Sequence, residues 1–145
     1  MPIRMRGIDI DTVAIVRTAI TANVSLSATT SATGNVAINT GNFGVENGGT
    51  FKVVVYTPSL VKGTTNVDLE LWLDGAPGTG TMVTTLSGHL TANAVPFVSE
   101  VFVNLTTGNH SLRVAGFVDA GTGTFSANVG TTGNFPNAFL AVYPA

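Results

Sequence analysis

The sequence predicts an all-β protein, a jelly-roll sandwich of two antiparallel sheets with eight to ten strands. The 17 glycines lie among abundant Thr, Asn, Ser and Ala, and no apolar pattern of helical period runs through the body of the chain. Short apolar runs alternate instead with a period of two, which is typical of strands. At 145 residues the chain fits one domain whose core needs no disulfide or metal. No tandem repeat is visible, which disfavours a propeller or a solenoid.

The clearest strands lie in the middle of the sequence. The stretch FKVVVYT at 51–57 is rich in β-branched and aromatic residues, and NVDLELWLDG at 66–75 alternates strictly. One face of the second stretch is apolar, and we expect the other to be wetter and solvated: Asp68, Glu70, Trp72 and Asp74. The glycine-rich stretch DGAPGTGT at 74–81 predicts a turn that leads into a strand near 81–87.

Further strands are expected on both sides of this region. From Phe97 to Leu105 every second residue points to one face, the stretch TTGNH at 106–110 predicts a turn, and the strand SLRVAGFVD follows. Weaker strands rich in Ser, Thr, Asn and Ala are expected near 23–29, 34–39 and 124–129. The final stretch, NAFLAVYPA, holds a continuous apolar run, which predicts a strand inside a sheet with both faces covered.

Charged residues are scarce in this chain. They make up 10% of it, against roughly 25% in ordinary soluble domains, which indicates that apolar surface is buried against other protein chains. Six basic residues and a net charge of −2 leave no basic stripe, so we expect no binding to nucleic acid. No apolar run approaches the ~18 residues of a membrane span, and the opening residues lack a signal-peptide core. We therefore expect neither a membrane partner nor export by the common route.

The sequence offers little for catalysis, and we expect no enzyme activity, cofactor or metal. It has no cysteine and only two histidines, His89 and His110, neither of which lies in a nucleophile motif. These are too few ligands for zinc. The carboxylates of Asp68, Glu70 and Asp74 share a face, but no calcium-loop pattern follows them. We expect a solvated outer face there, and a solvated turn residue at His110.

The first 17 residues differ in composition from the rest and contain five of the 14 charged residues. This difference divides the chain into an N-terminal segment, 1–17, and a jelly-roll domain, 18–145. The segment is either an ordinary first strand or an extended arm that adds to a sheet of a neighbouring subunit. In the second case the partner-binding residues are Arg4, Arg6, Ile8, Ile10 and Val13.

Four stretches, taken in order, resemble the jelly-roll heads of the tumour-necrosis-factor and complement-head superfamily: GGTFKVVVYTP, NVDLELWLDG, FVNLTTGNHSLRVAGF and NAFLAVYPA. The match covers about residues 48–145. In that family the last strand is central in the inner sheet, and three subunits pack around a three-fold axis through aromatic residues. The resemblance thus implies a homotrimer in which neighbouring subunits cover one face of the last strand. It implies that Tyr56, Phe117, Phe139 and Tyr143 lie at the axis.

Trp72 is a further interface candidate. An indole on the wetter face of a strand is either a surface platform or part of an interface, and we favour the interface.

The composition also resembles that of small, cysteine-free jelly-roll trimers that decorate the heads of tailed phages. This resemblance implies a structural virion protein, made in the host cytoplasm, that stabilises a capsid from its outer surface with the major capsid protein as partner. The alternative is a receptor- or carbohydrate-binding head of a phage tail fibre, or a complement-head-like binding module. Binding to empty capsids, as opposed to host cells or sugars, distinguishes the two.

Overall fold

The computed structural model describes residues 4–5, 8–9, 13–128 and 136–145, with the backbone alone for the first two pairs and for His89. Every strand pairing in these residues is antiparallel and none of them forms an α-helix, so the all-β prediction is confirmed. The strands are β1 (Arg4–Met5), β2 (Ile8–Asp9), β3 (Val16–Ala19), β4 (Val24–Leu26), β5 (Asn35–Asn39), β6 (Phe43–Val45), β7 (Gly49–Val61), β8 (Val67–Leu73), β9 (Thr81–Leu90), β10 (Ala94–Leu105), β11 (Gly108–His110), β12 (Leu112–Val118), β13 (Gly123–Phe125) and β14 (Phe139–Pro144).

Two antiparallel sheets form the sandwich. The six-stranded sheet has the order β3-β14-β7-β13-β4, with β10 paired to the opposite side of β7. The four-stranded sheet has the order β5-β12-β8-β9, while β6 pairs with β11 and β1 with β2 outside both sheets. Several of these strand segments are only two or three residues long, so they outnumber the eight to ten main strands expected of a jelly roll.

The core lies between the inner faces of the two sheets, where alternate residues of the long strands meet. Its largest fully buried side chains are Phe125, Leu26, Ile38, Leu60, Leu69, Leu71, Leu112 and Leu140. Gly116 on β12 leaves room for two of them, because a β-carbon there would lie 2.9 Å from Leu26 Cδ1 and 3.0 Å from Leu69 Cδ2. The residues that alternate towards the core in β8 and β10 are those that the sequence predicts.

The last strand, β14, lies inside the six-stranded sheet between β3 and β7. Leu140 and Val142 are fully buried in the core, whereas Phe139 and Tyr143 are half-buried on the opposite face. The prediction of a strand in the sheet interior is therefore confirmed. Within one chain, only the inner face of this strand is covered by the second sheet.

The outer face of β8 is buried, so the expectation of a solvated face was wrong for Asp68, Glu70 and Trp72, whereas Asp74, just after the strand, is 47% exposed. Asp68 and Glu70 are each 6% exposed and Trp72 is 7% exposed, although all three point away from the core as expected. A single turn of 3-10 helix, Ser31–Thr33, packs over this face: the Ser31 hydroxyl donates a hydrogen bond to Glu70 Oε2 at 2.7 Å. Trp72 Nε1–H donates to the same oxygen at 3.1 Å. The alternation within β8 cannot show that a segment far away in the sequence covers its outer face.

The N-terminal segment joins the six-stranded sheet at Ile15, whose N–H donates to the Val142 carbonyl at 2.7 Å. β3 follows at once, so the predicted boundary between residues 17 and 18 falls within a strand of the sheet. Val13, just before it, is 58% exposed. The other predicted arm residues lie outside the described residues or have only their backbone described: Arg6 and Ile10 in the first case, Arg4 and Ile8 in the second.

Candidate functional site

The outer face of the six-stranded sheet carries aromatic and aliphatic side chains, and we call it the open face. It consists of the outward-pointing residues of β3, β14, β7 and β10. Paired residues of neighbouring strands share a face, so the register arranges them in three rows across the sheet. The first row is Ala19, Phe139, Tyr56 and Val98; the middle row is Arg17, Ala141, Val54 and Glu100; the third is Tyr143, Lys52 and Phe102.

The most exposed large apolar side chains of the described residues lie on β10, at one side of the open face. Val98 is 69% exposed and Phe102 is 65% exposed, and the aromatic rings of Tyr56, Phe139 and Tyr143 lie half-buried beside them. Contiguous exposed apolar surface of this kind marks protein interfaces or ligand grooves. The open face is therefore the candidate binding surface.

Ring stacking orders the side chains of the open face. The rings of Tyr56 and Phe139 have centroids 5.7 Å apart with planes tilted by 35°. The Arg17 guanidinium carbon lies 4.4 Å from the centroid of the Phe139 ring, and Lys52 Nζ lies 5.5 Å from that of Tyr143. These cation–π contacts hold both positive charges over aromatic rings on this face.

The structure brings together three of the five predicted interface residues, namely Tyr56, Phe139 and Tyr143. Phe117 lies on β12, opposite Asp68 of β8, on the outer face of the other sheet. Trp72 is buried on that same outer face. The prediction that Phe117 joins the axis residues is not met, because β12 belongs to the four-stranded sheet and neither of its faces reaches the open face.

Sequence reasoning missed Val98 and Phe102, which are the most exposed apolar residues of this surface. The signal was present in the stretch VPFVSEVFVNL, whose apolar residues fall on both faces of the strand. Only the face that starts at Phe97 was assigned a role. The second set was informative because a strand with two apolar faces needs a covering partner on each side.

A polar cluster joins the turn after β8 to β11. His110 Nδ1 lies 2.9 Å from Asp74 Oδ2, and its Nε2 lies 2.9 Å from the Thr106 carbonyl oxygen. The Ser111 N–H donates to the other carboxylate oxygen of Asp74 at 2.9 Å. The His110 side chain is only 10% exposed, so the expectation of a solvated turn histidine was wrong.

The geometry of this cluster favours the charged forms of both groups. The hydrogen bond to Asp74 is the main cause that raises the pKa of His110, and the Thr106 carbonyl adds to it, against the effect of burial. Partial burial by itself raises the pKa of the Asp74 carboxyl, but hydrogen bonds from His110 and Ser111 outweigh it, and the pKa is lowered overall. The cluster therefore ties two loops together, and most fully below the ordinary histidine pKa of 6.5.

The part of the chain that the structure describes shows few features of a metal site, a membrane span or a catalytic centre. It contains no group of three or more His, Cys, Asp or Glu side chains able to hold a metal ion. No helix in it has the length and apolar character needed to cross a membrane. An open cleft of about 660 Å³ lies at one end of the sandwich, lined in part by Glu46, Phe51 and Pro144. This cleft has the size of a small-ligand site, but its lining offers no nucleophile beside a base.

Solved structures of other proteins share the fold of this chain. No protein-family model matches the sequence, and no curated protein matches it either. Among solved structures, the chain is similar to the tumour necrosis factor Eiger from S. frugiperda, with 12% identity and a TM-score of 0.50 over 90% of each chain. The fold is a TNF-like jelly roll.

Two sugar-binding proteins are also among the similar structures. The C-terminal domain of EclA, a sugar-binding protein, is 11% identical with a TM-score of 0.45, covering 86% of this chain and 79% of that one. A carbohydrate-binding module from a Cellvibrio mixtus lichenase, solved with cellotriose, is 10% identical with a TM-score of 0.46, covering 92% and 99%. At such identities the likeness concerns the fold alone.

Proposed function

We propose that the protein is a non-catalytic binding head that assembles from copies of itself through the open face. The observation that carries this proposal is the exposure of Val98 and Phe102 beside the rings of Tyr56, Phe139 and Tyr143. Covering apolar surface contributes roughly 25 cal/mol per Å², so a second copy that packs on this face is favoured. A charge content of 10% supports the same conclusion, since it leaves few charged groups to solvate a lone subunit.

A homotrimer is the assembly that we propose. The open face belongs to the sheet that contains the last strand, which is the sheet through which TNF-like heads pack around a three-fold axis. Three of its aromatic residues are the ones that this resemblance assigns to the axis. An obligate interface of this kind buries well over ~1,000 Å².

Replacing Phe102 with Asp tests the self-assembly. The variant should fail to assemble, because it buries a carboxylate in a dry interface, and an ion pair with the neighbouring Lys52 does not offset a desolvation cost of several kcal/mol per ion. Phe139→Asp and Tyr143→Asp should act in the same way. Light scattering coupled to size-exclusion chromatography measures the mass of each variant.

Met82→Asp is the matched control for this experiment. Met82 is 45% exposed and pairs with Trp72 across β8 and β9, on the outer face of the other sheet. This variant should assemble like the wild type. A wild-type protein with the monomer mass of 14.8 kDa would refute the proposal.

The target that we propose for the assembled head is a receptor or a carbohydrate. Assembly through the open face leaves the ends of the sandwich accessible, including the cleft beside Glu46 and Phe51. Binding to host cells or to a glycan array, reduced by Asn47→Ala or Glu46→Ala, is the expected result. Unchanged binding in both variants would move the target site away from the cleft.

Capsid decoration is the second candidate function, with the major capsid protein as partner at the outer surface of a virion. The low charge content favours it, because a decoration protein buries surface against the shell as well as against its own copies. Sedimentation with empty capsids tests this candidate. Binding to capsids without binding to cells or glycans would select decoration over the receptor-binding head.

A further inference from the structure

The middle row of the open face carries opposite charges at its two ends. Arg17 on β3 pairs with Ala141 on β14, Ala141 pairs with Val54 on β7, and Val54 pairs with Glu100 on β10. Adjacent strands lie ~4.8 Å apart, so the two charged residues are separated by roughly 14 Å of sheet. They thus mark the two opposite sides of the same face.

Neither charge is neutralised by an ion pair among the described residues. The Arg17 guanidinium stacks over Phe139, and the ion pair that joins described residues is the one between His110 and Asp74. Lys52 lies near Glu100 in the register, but its Nζ leans over Tyr143 on the other side of β7. Glu100 is exposed, and its carboxylate is thereby presented to whatever covers this face.

The two residues between the charges, Ala141 and Val54, have small side chains. Ala141 is fully buried and Val54 is half-buried, whereas aromatic side chains stand in the rows on both sides. The middle row thus has a charged residue at each end, Arg17 and Glu100, and small residues between them. Such a row is complementary in charge to a second copy of itself.

We propose that Arg17 of one copy pairs with Glu100 of the next, and that this ion pair decides which edges of the sheet meet in the oligomer. The inference rests on the proposed self-assembly. In a closed ring of identical subunits, the same two unlike surfaces meet at every interface. With the symmetry axis parallel to the strands, the β10 edge of the open face in one copy approaches the β3 edge of the open face in the next copy. Residues at the same position along the axis then meet. Arg17 and Glu100 lie in one transverse row and therefore at equal height.

The pair acts on specificity more than on affinity. Complementary charges across an interface fix its register and penalise wrong arrangements, whereas the net affinity of an ion pair is small or depends on its context. The apolar residues of the open face supply the burial. A guanidinium suits this position because its planar group stacks on a ring and still donates to a carboxylate.

Charge reversal tests the proposal. Arg17→Glu and Glu100→Arg should each weaken assembly at least tenfold, because each places like charges opposite one another, and the double variant R17E/E100R should restore it. Lys62→Glu, a charge reversal in the loop between β7 and β8 and off the open face, is the control and should assemble like the wild type. Analytical ultracentrifugation gives the dissociation constants, and circular dichroism establishes that each variant is folded.

Each outcome decides the matter. The ion pair is overturned by single variants that assemble like the wild type, or by a double variant that assembles as weakly as the single variants. The proposed self-assembly is still supported in that case by an oligomeric wild type that Phe102→Asp dissociates. A monomeric wild type would refute both. Should a reversal prevent folding, Arg17→Gln and Glu100→Gln replace it: their effects on assembly should be non-additive, and additive effects would contradict the pair.

Discussion

His110 is held at both ring nitrogens, by the Asp74 carboxylate and by the Thr106 carbonyl. A protonated imidazole donates at both positions, whereas a neutral one donates at only one. The folded state therefore binds this proton more tightly than the unfolded chain does, as the raised pKa of His110 indicates. A single side chain thus makes the stability of the fold depend on pH near neutrality.

The pH dependence has a defined window. The contribution of His110 is complete below its ordinary pKa of 6.5 and is lost as the pH rises through its raised pKa. The contribution of Asp74 is complete above its ordinary pKa of 3.8 and is lost as the pH falls through its lowered pKa. We therefore expect the cluster to stabilise the fold fully between these two ordinary values.

Thermal unfolding tests this prediction in the wild type and in His110→Gln. The measurements run from pH 5 to 9, a range that spans the ordinary histidine pKa of about 6.5. The wild type should have the higher Tm at the acid end, and the difference should shrink as the pH rises. Asp74→Asn should show the same loss, because His110 then has no carboxylate partner. A difference in Tm that stays constant over the whole range would contradict the assignment.

At the scale of the elements, a buried carboxylate fastens the turn Ser31–Thr33 to the outer face of β8. Glu70 receives hydrogen bonds from Ser31 and Trp72, and no buried side-chain nitrogen or oxygen of the described residues lacks a partner. Buried polar groups are stable only when they are satisfied in this way. The turn and the strand thus depend on each other.

Ser31→Ala should destabilise the protein by about 1–3 kcal/mol, the usual cost of an unsatisfied buried group, or roughly 2–4 °C in Tm per kcal/mol for a chain of this size. The variant leaves the Glu70 carboxylate with one donor fewer. Ser25→Ala, an exposed serine on β4, is the control and should change Tm little. Equal effects of the two variants would show that the hydrogen bond contributes nothing.

At the scale of the whole molecule, assembly should depend on the sheet and little on the residues that precede it. Pairing with the six-stranded sheet begins at Ile15, and the open face is formed by β3, β14, β7 and β10. The described N-terminal strands, β1 and β2, pair with each other outside this sheet.

Deleting residues 1–11 should leave a folded, oligomeric head with a nearly unchanged Tm and weaken its attachment to a larger assembly. An arm that binds by strand addition supplies backbone hydrogen bonds, and it is ordered only where a partner edge compensates about 1–2 kcal/mol of entropy per residue. Thermal unfolding and light scattering of the truncated protein measure the first two properties. A truncated protein that fails to fold or to assemble would show that these residues are an integral part of the head.

The all-β class, the long strands and the interior place of β14 follow from the amino-acid sequence. Period-two alternation and glycine turns are local properties, and the apolar run from Phe139 to Val142 needs cover on both faces wherever it lies. The tertiary structure alone decided that a turn buries Glu70, that Phe117 lies on the other sheet, and that Arg17 and Glu100 share one row. A strand's own pattern shows which side chains share a face, but the pairing of strands far apart in the chain determines what lies beside that face and what covers it.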